Sequence, residues 1–205
     1  MIFISKKPKL ILIMGAPGTG KTTLAIRLAA SYNIDQLVST DILRTILRGV
    51  CDKKKNKILF TVTHEAWQLY GAKTYENIYK GFLEHCTCLY PHLKHIISKA
   101  REEGRDLIIE GAHILPFNYE LLDIEGFNVY PILLQVNNDE QLLNRYDLKN
   151  NSRIVKYDGW KSNFDIIRYN EKQTLSHIKQ PNKLIIINNI FNIDDILKRC
   201  MEVIK

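Results

Sequence analysis

The apolar run Lys9-Leu10-Ile11-Leu12-Ile13-Met14 passes directly into Gly15-Ala16-Pro17-Gly18-Thr19-Gly20-Lys21-Thr22. A run of that length suits a parallel strand covered on both faces. The next eight residues fit G-x-x-x-x-G-K-[ST] completely, and Thr22–Ser31, with Leu24, Ile26 and Leu28, reads as a helix. A buried strand before the loop and a helix after it give the pattern its physical meaning. Glycines let the backbone curl until its N–H groups converge on phosphate oxygens, and the helix start adds its positive end. Lys21 is then expected to reach the β- and γ-phosphates of ATP, and the Thr22 hydroxyl to ligate Mg²⁺. Thr23 is either helix filler or a contact to the α-phosphate.

Strand and helix signals alternate along the rest of the chain. Gln36–Ser39 reads as a second, short strand, and Asp106–Glu110, Tyr130–Val136 and Lys183–Asn188 as further buried strands. Helices are expected from Thr40-Asp41 through Arg48, over much of Thr61–Glu103 with breaks near Gly71 and Pro91, and over Asp139–Lys149, Asn163–Gln180 and Ile193–Lys205. The alternation predicts an α/β fold, a parallel five-stranded sheet with helices on both faces, and together with the phosphate-loop pattern the expected class is the P-loop kinase type. Neither a linker nor a repeat divides residues 1–205, so one domain is expected. Residues 51–104 would form a helical insertion, and residues 139–162 a lid.

Composition narrows the partners. The formal charge of +7 favours anions such as phosphorylated metabolites or nucleic acid, without choosing between them. Cys51, Cys86, Cys88 and Cys200 lack metal-site spacing and are read as reduced thiols. The apolar stretches fall short of the roughly 18 residues that a bilayer span needs, and Met1–Pro8 lacks the features of a signal peptide. A cytoplasmic protein with no membrane partner is therefore expected.

In open α/β sheets ligands bind beyond the carboxyl ends of the strands. Asp41, just after the second strand, falls on that rim. Its carboxylate could take the proton of an attacking hydroxyl, or it could cap the helix that follows. Arg44 and Arg48 lie one helical turn apart, so their forks suit an anionic acceptor unless they only face solvent. Glu110 ends the third strand, placed to hold Mg²⁺ through water, to orient the acceptor, or to satisfy a neighbouring loop. His113 follows it in either a structural or a functional role. Phosphoryl transfer is met by cations, and Arg145, Arg153 and Arg168 are the candidates to fold over the phosphates, with Arg145 assigned the catalytic part.

Several of these segments resemble those of 2-phosphoglycerate kinases: STDILRTILR over Ser39–Arg48, GFLE over Gly81–Glu84, IEGAHILP over Ile109–Pro116 and NFDIIR over Asn163–Arg168. The resemblance runs in order from about residue 9 to residue 189. It implies Lys21 and Thr22 at ATP–Mg²⁺, Asp41, Arg44 and Arg48 at the acceptor, Glu110 and His113 at the cleft, and Arg145 and Arg168 near the phosphates. The implied activity is transfer of the γ-phosphate of ATP to a small phosphorylated acid. Two departures from the family are expected: the regulatory domain that archaeal members often carry is not expected before Lys9, and Lys149 stands where a second lid arginine is expected. Polynucleotide 5′-kinases and zeta toxins also use an Asp after the second strand, and the polynucleotide kinases share the D-x-x-R spacing. A nucleic-acid acceptor is therefore the second reading, and a nucleotide-binding regulator without transfer activity the third.

Overall fold

The computed structural model describes residues 7–189 and 192–205. Its centre is a five-stranded parallel sheet of β1 (Lys9–Met14), β2 (Gln36–Ser39), β3 (Leu107–Glu110), β4 (Asn128–Gln135) and β5 (Ile185–Asn188), in the order β2-β3-β1-β4-β5. The register pairs Leu10 with Leu107 on one side and with Val129 on the other. The chain leaves β1 toward one edge and later crosses it to reach β4. The crevice at the carboxyl end of β1 is thus a topological switch point, where such sheets bind ligands.

Strand periodicity explains how both faces are buried. Leu10, Leu12 and Met14 point into one core with Leu107, Ile109 and Leu133. Ile11 and Ile13 point into the other with Ile108, Ile132 and Leu134. The first core is closed by α2 (Thr40–Val50), through Leu47, and by α4 (Tyr90–Glu102), through Leu93 and Ile97. The second is closed by α1 (Lys21–Tyr32) and α8 (Ile193–Val203), through Leu24, Leu28, Ile196 and Cys200. A third cluster joins Val136 to Leu142 and Tyr146 of α5 (Asp139–Asn151) and Ile167 of α7 (Phe164–Ser176).

Element boundaries differ from the sequence reading in places that have physical causes. The helical segment expected from Thr61 begins as a short 3₁₀ turn, Ala66–Tyr70, followed by α3 (Tyr75–Thr87) and α4, and a further 3₁₀ turn, Lys57–Phe60, precedes Thr61. The break falls at Cys88–Leu89; Pro91 sits inside the first turn of α4, where its missing N–H has no intrahelical acceptor to lose. The polar stretch Asn150–Lys161 is partly helical, since α5 runs to Asn151 and a short helix, α6, spans Gly159–Ser162. All four cysteines are free thiols. Among the described residues no helix is long and apolar enough to cross a membrane.

Candidate active site

The loop after β1 is built around backbone that side chains would obstruct. Gly20 adopts φ 94°, and a Cβ there would lie 2.6 Å from the Asn189 amide nitrogen. That amide donates to the carbonyl of Thr19 at 2.7 Å, so the loop is tied to the end of β5. The Lys21 ammonium folds back onto the carbonyl of Ala16 at 2.8 Å. Burial lowers its pKa to about 8, opposed by the carboxylates of Glu110 and Asp41.

Glu110, at the end of β3, is 4% exposed, and its carboxylate accepts the Thr22 hydroxyl at 3.1 Å. Two hard oxygen ligands thus meet beside the phosphate loop. Among the described residues no cluster of three or more His, Cys, Asp or Glu could hold a metal. Mg²⁺ needs no such cluster, because it takes one or two protein oxygens and completes its shell with phosphates and water. The residues present therefore fit that ion.

Next to this pair opens a cavity of about 410 Å³ lined by Lys21, Thr22, Asp41, Arg44, Glu110 and His113, among others. Ser39 occupies the cap position of α2 and Asp41 lies in its first turn, so the capping role considered for Asp41 is not the one it has. Its side chain is 70% exposed toward the cavity mouth and lies 3.7 Å from the Arg44 guanidinium. Arg44 is itself anchored by donating to the carbonyl of Thr61 at 2.6 Å. Burial pushes the Arg44 pKa down, with Asp41 opposing.

His113 is buried, and its Nδ1 lies 2.8 Å from the Thr40 hydroxyl. Gly111 makes that contact possible, since a Cβ at its φ of 155° would overlap the Thr40 side chain. Burial, then the Arg44 and Lys21 charges, lowers the His113 pKa to about 3. The ring is therefore neutral, and its buried Nε2 has no partner among the described residues.

Three expected site residues are engaged elsewhere. Arg48 faces away from the cavity, its guanidinium 5.3 Å from the Phe60 ring centroid. Arg145 donates to the Asn189 carbonyl at 2.6 Å and braces the strand end behind the phosphate loop. Arg168 is neutralised between Asp139 and Glu171, each at 2.6 Å, and donates to the Val136 carbonyl. Long cationic side chains settle on the nearest carboxylate, carbonyl or ring, and helical spacing does not specify which one that is. Lys149, Arg153, Tyr157 and Trp160 line the cavity from the lid side instead.

The insertion contributes residues that the sequence reading left out. His64 Nε2 lies 2.8 Å from the Tyr157 hydroxyl, and His85 stacks on His113 with centroids 5.1 Å apart. Burial lowers their pKa values to about 4 and about 3. No motif marks either histidine. Base recognition in folds of this kind often involves backbone and loop residues near the last strand, around Asn188–Ile193, and of that segment residues 190 and 191 lie outside the described residues.

Sheet order, phosphate loop and rim carboxylates define a P-loop nucleotide-binding protein of the kinase type. The chain belongs to the AAA domain family, whose profile matches residues 11–174. It is 25% identical over 201 residues to the 2-phosphoglycerate kinase of Methanocaldococcus jannaschii, covering 98% of this chain and 64% of that protein. It is 32% identical over 108 residues to the mevalonate-3-phosphate 5-kinase of Thermoplasma acidophilum, covering 53% of this chain and 52% of that one. The chain thus spans less than two thirds of the length of either relative. A solved structure of a putative kinase from Chloroflexus aurantiacus shares the fold, with a TM-score of 0.56 at 18% identity, covering 98% of this chain and all of that one. The expected resemblance to 2-phosphoglycerate kinases and the expected fold class are both found.

Proposed function

We propose that this protein is an ATP- and Mg²⁺-dependent kinase that transfers the γ-phosphate to a hydroxyl of a small anionic metabolite, 2-phosphoglycerate or a similar phosphorylated acid. The observation that carries this reading is the single cavity shared by Lys21, Thr22, Asp41, Arg44 and Glu110. A phosphate cradle and a carboxylate open on the same space, which is what a hydroxyl needs in order to meet a terminal phosphoryl group in line. The likeness to two kinases of phosphorylated metabolites supports the choice of acceptor class.

The roles follow from the chemistry. Asp41 accepts the proton as the acceptor oxygen bonds to the γ-phosphorus and the bond to the β–γ bridging oxygen breaks, releasing ADP. Lys21 stabilises charge on the β- and γ-oxygens. Arg44, held by Thr61, takes the acceptor's own anionic group. Thr22 and Glu110 would hold Mg²⁺, which would supply further charge neutralisation on the phosphates. Lys149 and Arg153, on the lid at 139–162, bring cations over the transferring group. Residues 1–205 act in this reading as one P-loop kinase domain, with 51–104 as the insertion that walls the acceptor side.

The test is release of ADP in the presence of a panel of phosphorylated three- to six-carbon acids, with 5′-hydroxyl oligonucleotides as the competing acceptor. Phosphorylation of at least one acid, lost in Asp41→Asn, is the expected result. Transfer only to oligonucleotides would overturn the assignment.

A further inference from the structure

A second chamber adjoins the acceptor cavity. Pro17, Thr63, His64 and Ala112 line both spaces, so one opens toward the other past the phosphate loop. The far wall is apolar: Phe82, Ile114, Leu115, Leu133, Ile167 and Leu175. The volume is about 50 Å³. That is room for about three to five water-sized groups.

Asn170, Glu171 and Thr174, all on α7, break the apolar wall, and the Thr174 hydroxyl is likewise without a partner among the described residues. Asn170 is 3% exposed, and its Oδ1 has no hydrogen-bond partner among the described residues. A buried carboxamide oxygen left unpaired is destabilising, so a native site that keeps one calls for an occupant able to donate to it. Beside it stands Glu171, whose carboxylate is held by Arg168. A carboxylate in that wall repels anions. The charged groups of the acceptor therefore stay with Arg44, and whatever enters the chamber is uncharged.

We propose, building on the kinase reading above, that the acceptor is a phosphorylated hydroxy acid with an additional uncharged aliphatic arm of about two to four carbons ending in a hydroxyl, and that this arm lies in the chamber with its hydroxyl donating to Asn170. A three-carbon acid such as 2-phosphoglycerate leaves the chamber unfilled and the Asn170 oxygen unpaired. Specificity within the acceptor class is set by α7 and the β3–β4 connection, with the phosphate-binding elements common to every substrate.

The experiment compares kcat/KM of the full chain with Mg²⁺-ATP for three matched acceptors: 2-phosphoglycerate, an analogue with a hydroxyl-terminated three-carbon arm, and the same arm ending in a methyl. The hydroxyl-armed acid is expected to exceed 2-phosphoglycerate by tenfold or more, given about fourfold for each buried methylene. Asn170→Leu is expected to reverse the order of the hydroxyl- and methyl-terminated acids while KM for ATP stays unchanged. Leu175→Phe, which fills the chamber, is expected to lower kcat/KM for both armed acids and to leave 2-phosphoglycerate unaffected. Equal or better use of 2-phosphoglycerate by the unmutated protein overturns the inference and leaves the kinase reading standing. An unchanged order in Asn170→Leu does the same. Absence of transfer to every phosphorylated acid overturns both.

Discussion

The Thr22 hydroxyl and the Glu110 carboxylate meet at 3.1 Å across 88 residues of sequence. One side chain opens the first helix and the other closes the third strand, so the sheet itself sets their spacing. Glu110→Gln keeps the hydrogen bond but removes the charge a divalent cation would see. Transfer is expected to fall about 100-fold, and the apparent Mg²⁺ requirement to rise, with ADP binding in EDTA unaltered. Titrating Mg²⁺ against rate checks this; an unchanged Mg²⁺ curve would remove Glu110 from the metal.

Asp41 is exposed and bonded to little, so its replacement separates chemistry from folding. Asp41→Asn is expected to lower kcat by about 10²–10⁴ while leaving the melting temperature unaltered. Steady-state kinetics and a thermal melt on the same preparation decide it.

Arg44 lines the cavity, while Arg48 on the same helix packs on Phe60. Arg44→Ala is expected to raise KM for the acceptor at least tenfold more than KM for ATP. It also removes one of the two partners of the Thr61 carbonyl, which keeps His85 Nε2 at 3.2 Å, so the stability cost is expected to be about 0.5–1.5 kcal/mol. Arg48→Ala loses only its stacking on Phe60, about 0.5–1 kcal/mol, with kinetics unchanged. Equal kinetic losses in the two variants would contradict this division.

Asn189 ties the phosphate loop to β5 through Thr19 and takes the Arg145 guanidinium on its own carbonyl. Asn189→Ala is expected to destabilise the fold by about 1–3 kcal/mol and to weaken ATP binding several-fold, with acceptor KM unaffected. Denaturant titration and nucleotide binding by calorimetry measure the two effects separately.

His64, His85 and His113 are held neutral, with pKa values near 4, 3 and 3 against an ordinary value of 6.5. Between those limits the unfolded chain binds more protons than the folded protein. Stability is therefore fully present above about pH 6.5 and is lost as pH falls toward 4 and 3. Melting temperatures are expected to drop across that window, and more shallowly in a His85→Gln, His113→Gln double variant. An identical slope in that variant would assign the acid sensitivity to carboxylates instead.

Much of this molecule could be read along the chain. The strand Lys9–Met14, the glycines that follow and the start of α1 specify one another locally, within some 20 residues. Glu110 reaches the rim because it ends a buried strand of a parallel sheet, and Asp41 because it comes two residues after the half-buried edge strand β2. Such positions depend on order and periodicity, which sequence states outright.

The cations were decided by the tertiary structure. Arg145, Arg48 and Arg168 have the right residue type and spacing, yet Asn189, Phe60, Asp139 and Glu171 claim them. Lys149 and Arg153 line the cavity in their place. The neutral histidines and the apolar chamber beside Asn170 depend likewise on segments brought together from distant parts of the chain. A long side chain is fixed by whichever partner the fold brings within reach, and a cavity by what several elements fail to fill; neither is a property of local sequence.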